Sequence, residues 1–303
     1  MPRIGVIGSG NLGTNLGFFA AEKGISDVIL YDIQDGLAKG KSLDMLEAAP
    51  IRRYKTKLTA AGSIQELYDA DIVVLALGAV RKPGMTRDEL RDENLPLIRE
   101  MASALRHAPG IVILATEPVD ILLPEFVRLS GMSPRRVLGL GGFLHSTRLR
   151  YLIGKELGVS PEDVVTQVIG RNGSDMIPLF SHTSIGGIPG TILLTAAQQK
   201  SLAQKLAKAG DEILELAQRS TSYYAPAQVA AELCEDILKN TGAIRSVSQV
   251  LDGAYGIRGV AMSLPSRITK NGIEEVYLPK LTKDEEKNFV DSAAALAKLA
   301  PEA

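Results

Sequence analysis

The chain has no tryptophan, one cysteine and three histidines among 303 residues. A lone Cys234 cannot close an internal disulfide, nor supply a zinc site by itself, so nothing demands an oxidising compartment and the expected location is the cytoplasm. An excess of charge is missing too: 34 Lys and Arg face 35 Asp and Glu, a formal net charge of -1, with the signs interspersed. This excludes the clustered basic surface of a nucleic-acid binder. There is no uncharged apolar run of about 18 residues to cross a bilayer. Met1 to Gly13 reads as a strand and a glycine turn rather than a basic and then apolar leader, so neither a membrane span nor a signal peptide is expected. His107, His145, His182 and Cys234 show no metal-ligand spacing with nearby carboxylates, and no metal is expected.

What is present is an ordinary globular balance, 45% hydrophobic and 23% charged residues, with enough chain for two domains or one large one. Arg3 to Ile7, Val28 to Tyr31, Ile72 to Leu77 and Ile111 to Ala115 are continuous apolar runs, which predicts parallel strands covered on both faces. Asn11 to Lys23, Leu37 to Ala48 and Leu90 to Arg106 read as the helices between them, giving a doubly wound α/β sheet. Gly139 to Gly142 is the best-marked composition break, dividing the chain into residues 1–142 and 143–303. Beyond it the spacing predicts a helix from Thr147, an apolar run over Val164 to Ile169, further strands, and helices over Thr195 to Gln218, Ala227 to Lys239 and Lys283 to Lys298.

Gly8-Ser9-Gly10-Asn11-Leu12-Gly13 follows the first strand and opens a helix. Glycines there permit a tight turn and close approach of the backbone to a pyrophosphate, which the helix N-terminus attracts. Asp32, at the end of the next strand, is placed to accept from both ribose hydroxyls, and its charge repels a 2′-phosphate, so NAD is the expected cofactor. Further on, Arg81-Lys82-Pro83-Gly84-Met85-Thr86-Arg87 follows Gly78-Ala79 at the carboxyl end of a strand, where open α/β sheets bind ligands. Arginine suits a carboxylate through its planar fork, although the same residues also read as a solvated basic loop.

Together with Pro118-Val119-Asp120 and Ser222-Tyr223-Tyr224-Ala225-Pro226, these motifs resemble the lactate/malate dehydrogenase family over essentially the whole chain, on the side of the malate dehydrogenases with the lactate dehydrogenase-like fold. The resemblance implies a Rossmann domain that binds NAD, an α+β substrate domain, a small anionic 2-keto or 2-hydroxy dicarboxylate as substrate, and a homodimer or homotetramer. By motif, Arg81 takes the distal carboxylate, Arg87 polarises the reacting carbonyl and Arg148 grips the α-carboxylate. Asn94 sits by the carbonyl or cofactor, Gly78 belongs to the cofactor site, and Ser222 lines the substrate floor.

Three positions depart from the family. Its proton-carrying histidine is Asn172 here, in Gly170-Arg171-Asn172-Gly173-Ser174-Asp175. The aspartate that orients that histidine is His145, and an asparagine contacting nicotinamide or substrate is Glu117. A neutral amide has no useful acid form near pH 7, so Asn172 cannot be the general acid. His145, its ordinary pKa near 6.5 suited to the task, is expected to act through Asn172 or a bound water. His107 reads as a surface residue ahead of Pro109-Gly110, and His182 as a remote substitute. Two other readings stay open: an NAD-binding homologue impaired in catalysis, and a dehydrogenase for an amino, imino or polyhydroxy acid, with Glu117 and His145 handling the changed group.

Overall fold

The computed structural model describes residues 1–34, 36–108, 110–173, 175–218 and 221–299; Pro109 and Ser174, quoted above, lie outside the described residues. Six apolar runs form parallel strands: Arg3–Ile7 (β1), Asp27–Tyr31 (β2), Leu58–Ala60 (β3), Ile72–Leu75 (β4), Ile111–Leu114 (β5) and Val137–Gly139 (β6). They lie in the order β3-β2-β1-β4-β5-β6, the Rossmann winding. Asn11–Glu22 (α1), Leu37–Arg52 (α2), Arg87–Ala104 (α3) and Val119–Ser130 (α4) connect them. Every residue of β4 and β5 is buried, as strands covered on both faces require.

The helix Gly142–Leu157 (α5) opens the second half, followed by five two-residue strands: Val164–Val165 (β7), Val168–Ile169 (β8), Ile177–Pro178 (β9), Ser184–Ile185 (β10) and Ile188–Pro189 (β11). Gly190–Leu193 (α6), Ala196–Ala217 (α7) and Tyr224–Leu238 (α8) come next, then the strands Ile244–Ala254 (β12), Ile257–Thr269 (β13) and Gly272–Val276 (β14), and finally Lys283–Ala297 (α9). Among the described residues, no helix is long and apolar enough to cross a membrane.

Several boundaries differ from the sequence reading for identifiable reasons. Helix α3 begins at Arg87, not Leu90, because Thr86 and Glu89 form a capping box, Thr86 Oγ1 accepting from the Glu89 N–H at 3.2 Å. Helix α5 begins at Gly142, not Thr147. The apolar run Val164 to Ile169 is two strands, β7 pairing with β10 and β8 with β9. Strands β3 and β6, three residues each, carry too little pattern to be read.

The sheet also continues past position 142. Strand β12 joins β6 antiparallel at Ser248 and Gly139, making one nine-stranded sheet that ends β6-β12-β13-β14. Helix α8 returns to the first half, where Ala227, Ala230, Leu233 and Cys234 share a core with Val6, Leu16 and Leu30.

At the crossing the backbones nearly touch. A methyl on Gly142 would meet the Val168 carbonyl oxygen at 2.2 Å and the Ser246 hydroxyl at 2.3 Å. Gly142→Ala is therefore expected to destabilise the protein by about 1–3 kcal/mol, as overpacking does, and to weaken substrate-anion binding by shifting α5. Denaturant unfolding and titration with a dicarboxylate check the two effects.

Candidate active site

The carboxyl ends of β1, β4 and β5 open on a cleft of about 700 Å³ between the two halves of the chain. Gly8, Gly10, Asn11, Leu12 and Asp32 line one end; Gly78, Arg81, Arg87, Glu117, His145, Arg148, Asn172 and Ser222 line the rest.

The first end fits a dinucleotide. A Cβ on Gly13 would lie 1.9 Å from the Gly8 carbonyl oxygen, so α1 can start this close to β1 only with glycine there, while a Cβ on Gly10 would meet nothing, leaving its face open to the cleft. Asp32 is fixed by two backbone donors, the Ser9 N–H at 2.7 Å and the Gln34 N–H at 2.9 Å, and both oxygens keep lone pairs for ribose hydroxyls. Ser9 itself is fully buried and outside the cleft lining: it orients Asp32 rather than facing a ligand.

Gly78 leads into the arginine loop with φ +102, and a Cβ there would strike the Asn94 side chain at 2.4 Å. Asn94 is buried behind the cleft wall rather than in it. Its Oδ1 accepts from the Ala79 N–H at 2.7 Å and its Nδ2 donates to the Glu117 carbonyl at 2.8 Å, tying the loop after β4 to the loop after β5. Arg81 forms an ion pair with Asp211 of α7 across the cleft. Arg148 lies one turn beyond His145 on α5; burial lowers its pKa and the Glu117 charge opposes that shift. Arg87 donates from Nη1 to the Asn172 carbonyl at 2.7 Å.

Asn172 is the meeting point. Its backbone N–H donates to the Asp120 carboxylate and its side-chain Oδ1 contacts His145 Nε2. Its Nδ2 donates to Glu117 Oε1 at 2.7 Å. Because Oδ1 can only accept, His145 carries its proton on Nε2, and its buried Nδ1 has no partner among the described residues. Burial first, then the Arg148 and Arg87 charges, push the His145 pKa down to about 3. Asp120 is buried behind Asn172, also accepts from the Ser248 hydroxyl, and is pushed by burial up to about 7.

In this arrangement His145 commits its Nε2–H to the Asn172 amide oxygen, and burial disfavours the imidazolium form that a general acid at this ring would use. His107 is exposed just past the end of α3, and His182 is exposed in the short 3-10 turn Phe180–His182; neither lines the cleft. Sequence reasoning gave no role to Asp120, although it was quoted in its motif, nor to Asp211, for which no local signal exists. Among the described residues no group of three or more His, Cys, Asp or Glu could hold a metal.

A phosphate turn and three arginines on one cleft define an NAD-dependent dehydrogenase. Comparison with known proteins gives the particular family. The lactate/malate dehydrogenase NAD binding domain matches residues 2–139, and the lactate/malate dehydrogenase alpha/beta C-terminal domain matches residues 143–302. The malate dehydrogenase of Desulforudis audaxviator is 33% identical over 296 residues, covering 97% of this chain and 96% of that protein. That of Heliobacterium modesticaldum is 34% identical over 299 residues, covering 98% and 97%. Among solved structures, Cryptosporidium parvum malate dehydrogenase has a TM-score of 0.96 at 31% identity, covering 98% of this chain and 97% of that one. The lactate dehydrogenase of the same organism, solved with lactic acid and nicotinamide adenine dinucleotide, has 0.94 at 29%, covering 99% of both. The chain belongs to the lactate/malate dehydrogenase family.

The His145 environment has a measurable consequence. The unfolded chain protonates this imidazole near its ordinary 6.5 and the folded chain only near 3, so acid favours unfolding. The stability it contributes is complete above pH 6.5 and is lost as pH falls toward 3. Relative to His145→Gln, the wild type should lose stability between pH 7 and pH 4.5, as read by urea unfolding at the two values.

Proposed function

We propose that the protein interconverts malate and oxaloacetate with NAD. The observation that carries this reading is the position of Arg81, Arg87 and Arg148 on the same cleft as the phosphate turn: two cations for two carboxylates, and a third for the carbonyl between them. NAD, when bound, accepts or supplies the hydride. Gly8, Gly10, Asn11 and Leu12 hold its phosphates, with Gly13 allowing the turn, and Asp32 holds its ribose.

In this reading Arg148 grips the α-carboxylate through its guanidinium fork. Arg87 moves from the Asn172 carbonyl to the substrate carbonyl and polarises it. Arg81 exchanges Asp211 for the distal carboxylate, so Asp211 sets a threshold that a monocarboxylate does not overcome. Ser222, half-buried just ahead of α8, forms the floor. Asn172 and His145 orient the site without transferring a proton. The same reading carries a cytoplasmic homodimer or homotetramer.

The test is NADH oxidation by the purified protein with oxaloacetate, pyruvate and other 2-keto acids, with NADPH as control. Oxaloacetate with NADH should be the best pair, and Arg81→Gln should lower kcat/KM for oxaloacetate by about 2–4 kcal/mol of transition-state binding, the loss expected for one charged contact, while changing pyruvate little. Turnover of an amino, imino or polyhydroxy acid with none of oxaloacetate would replace the substrate. NADH binding without turnover of any acid would leave a binding protein.

A further inference from the structure

Glu117 ends the segment after β5 with its side chain exposed to the cleft. Its Oε1 accepts from Asn172 Nδ2 at 2.7 Å, and its Oε2 has no hydrogen bond among the described residues. The charged groups facing this region come from every element around it. Arg148 of α5 lies within electrostatic reach of the carboxylate, and Asp120 of α4 lies behind it. Arg87 of α3 faces the neighbouring His145, and Arg171 acts on Asp120. Glu117 is therefore an anchored carboxyl group with one free oxygen, at the arginine end of the cleft.

The substitutions also conserve charge. The family's aspartate and histidine together carry one negative charge as a base and none as an acid. Neutral His145 and Asn172 carry none in either state, and Glu117 supplies the same count: one negative charge as carboxylate, none as carboxylic acid. We propose that Glu117 is the proton donor and acceptor of the reaction, held in place by Asn172 and, through it, by His145. This rests on the 2-hydroxy acid reading given above. In reduction the carbonyl carbon gains a hydride from the reduced dinucleotide, the carbonyl π bond breaks, and its oxygen takes the proton of the Glu117 carboxyl. The ketone becomes a secondary alcohol, the dinucleotide is oxidised, and Glu117 is left as carboxylate; oxidation runs each transfer in reverse. The acid form of Glu117 is the one that reduction consumes, and the carboxylate is the one that oxidation requires.

Glu117→Gln keeps an acceptor for Asn172 and removes the acid. It should lower oxaloacetate reduction on the order of 10² to 10⁴-fold, the usual share of acid–base catalysis, with NADH affinity by fluorescence unchanged. A rate within about threefold of wild type overturns the proposal. Calorimetry of hydroxymalonate binding to the NADH complex, in buffers of different ionisation enthalpy between pH 5 and 8, gives a readout without turnover. Because Asp120 also titrates in this window, the readout is the difference: wild type should take up more protons than Glu117→Gln, and equal uptake in both overturns the assignment. A wild-type protein that turns over no acid sinks the malate reading, while the calorimetry still decides whether Glu117 protonates. Asn172→Ala removes the N–H that holds Glu117 Oε1, so the pH profile of reduction should change; an unmoved profile shows that Asn172 does not position Glu117.

Discussion

One buried amide holds the reacting end of the cleft together. Asn172 uses all four of its polar atoms: the backbone N–H on Asp120, the backbone carbonyl on Arg87, the side-chain oxygen on His145 and the side-chain nitrogen on Glu117. Those partners come from the start of α4, the start of α3, the first turn of α5 and the segment after β5, so a single residue that both donates and accepts ties all four together. A neutral amide is suited to this because it offers N–H and C=O in fixed geometry with no charge to desolvate. The three departures from the family are thus mutually consistent. An amide oxygen at 172 demands a donor, which His145 supplies, and an amide nitrogen there demands an acceptor, which Glu117 supplies. Replacing any one of them by a residue that lacks the matching donor or acceptor leaves a polar atom of the trio unpaired, at the usual cost of an unmade hydrogen bond in a buried place.

What could be read in advance follows the range over which each signal acts. The phosphate turn, Asp32 and the arginine loop are local patterns of a few residues, legible because glycine, carboxylate and guanidinium each answer a local geometric demand. Apolar runs such as Ile111 to Leu114 mark buried strands for the same reason. The neighbourhood of His145 and Asn172, 27 residues apart, was legible only through the family resemblance, and the contact of Asn172 with Glu117, 55 residues apart, was not legible at all, because no periodicity reports such a pairing. Asp211 lies 130 residues from Arg81 on an otherwise unremarked polar face of α7, so its pairing had no signature at all. Asn94 meets the same limit, since a buried side chain that ties two loops together has the same sequence as one that touches a ligand.

Electrostatics arranges the site in two layers. In front stand groups that water can reach, Glu117 and the Arg81–Asp211 pair; behind stand His145 and Asp120, from which water is excluded. Burial moves the rear pair in opposite directions, the imidazole down to about 3 and the carboxyl up to about 7. Both shifts favour the uncharged form, as desolvation always does. The neutral His145 ring therefore contributes shape and hydrogen bonds, while Asp120, held near 7 by burial, changes charge close to neutral pH.

The unbroken sheet constrains how anything enters. Since β12 pairs with β6 at Ser248 and Gly139, one sheet runs through both halves, and a jaw-like motion between them would have to break backbone pairing inside it. The segment from Gly78 to Thr86 has no such ladder, is mostly exposed at its tip, and reaches the far wall through the Arg81–Asp211 pair. That ion pair places a carboxylate of α7 on the very guanidinium that an incoming dicarboxylate would need, so the wall of the chamber itself competes with the ligand.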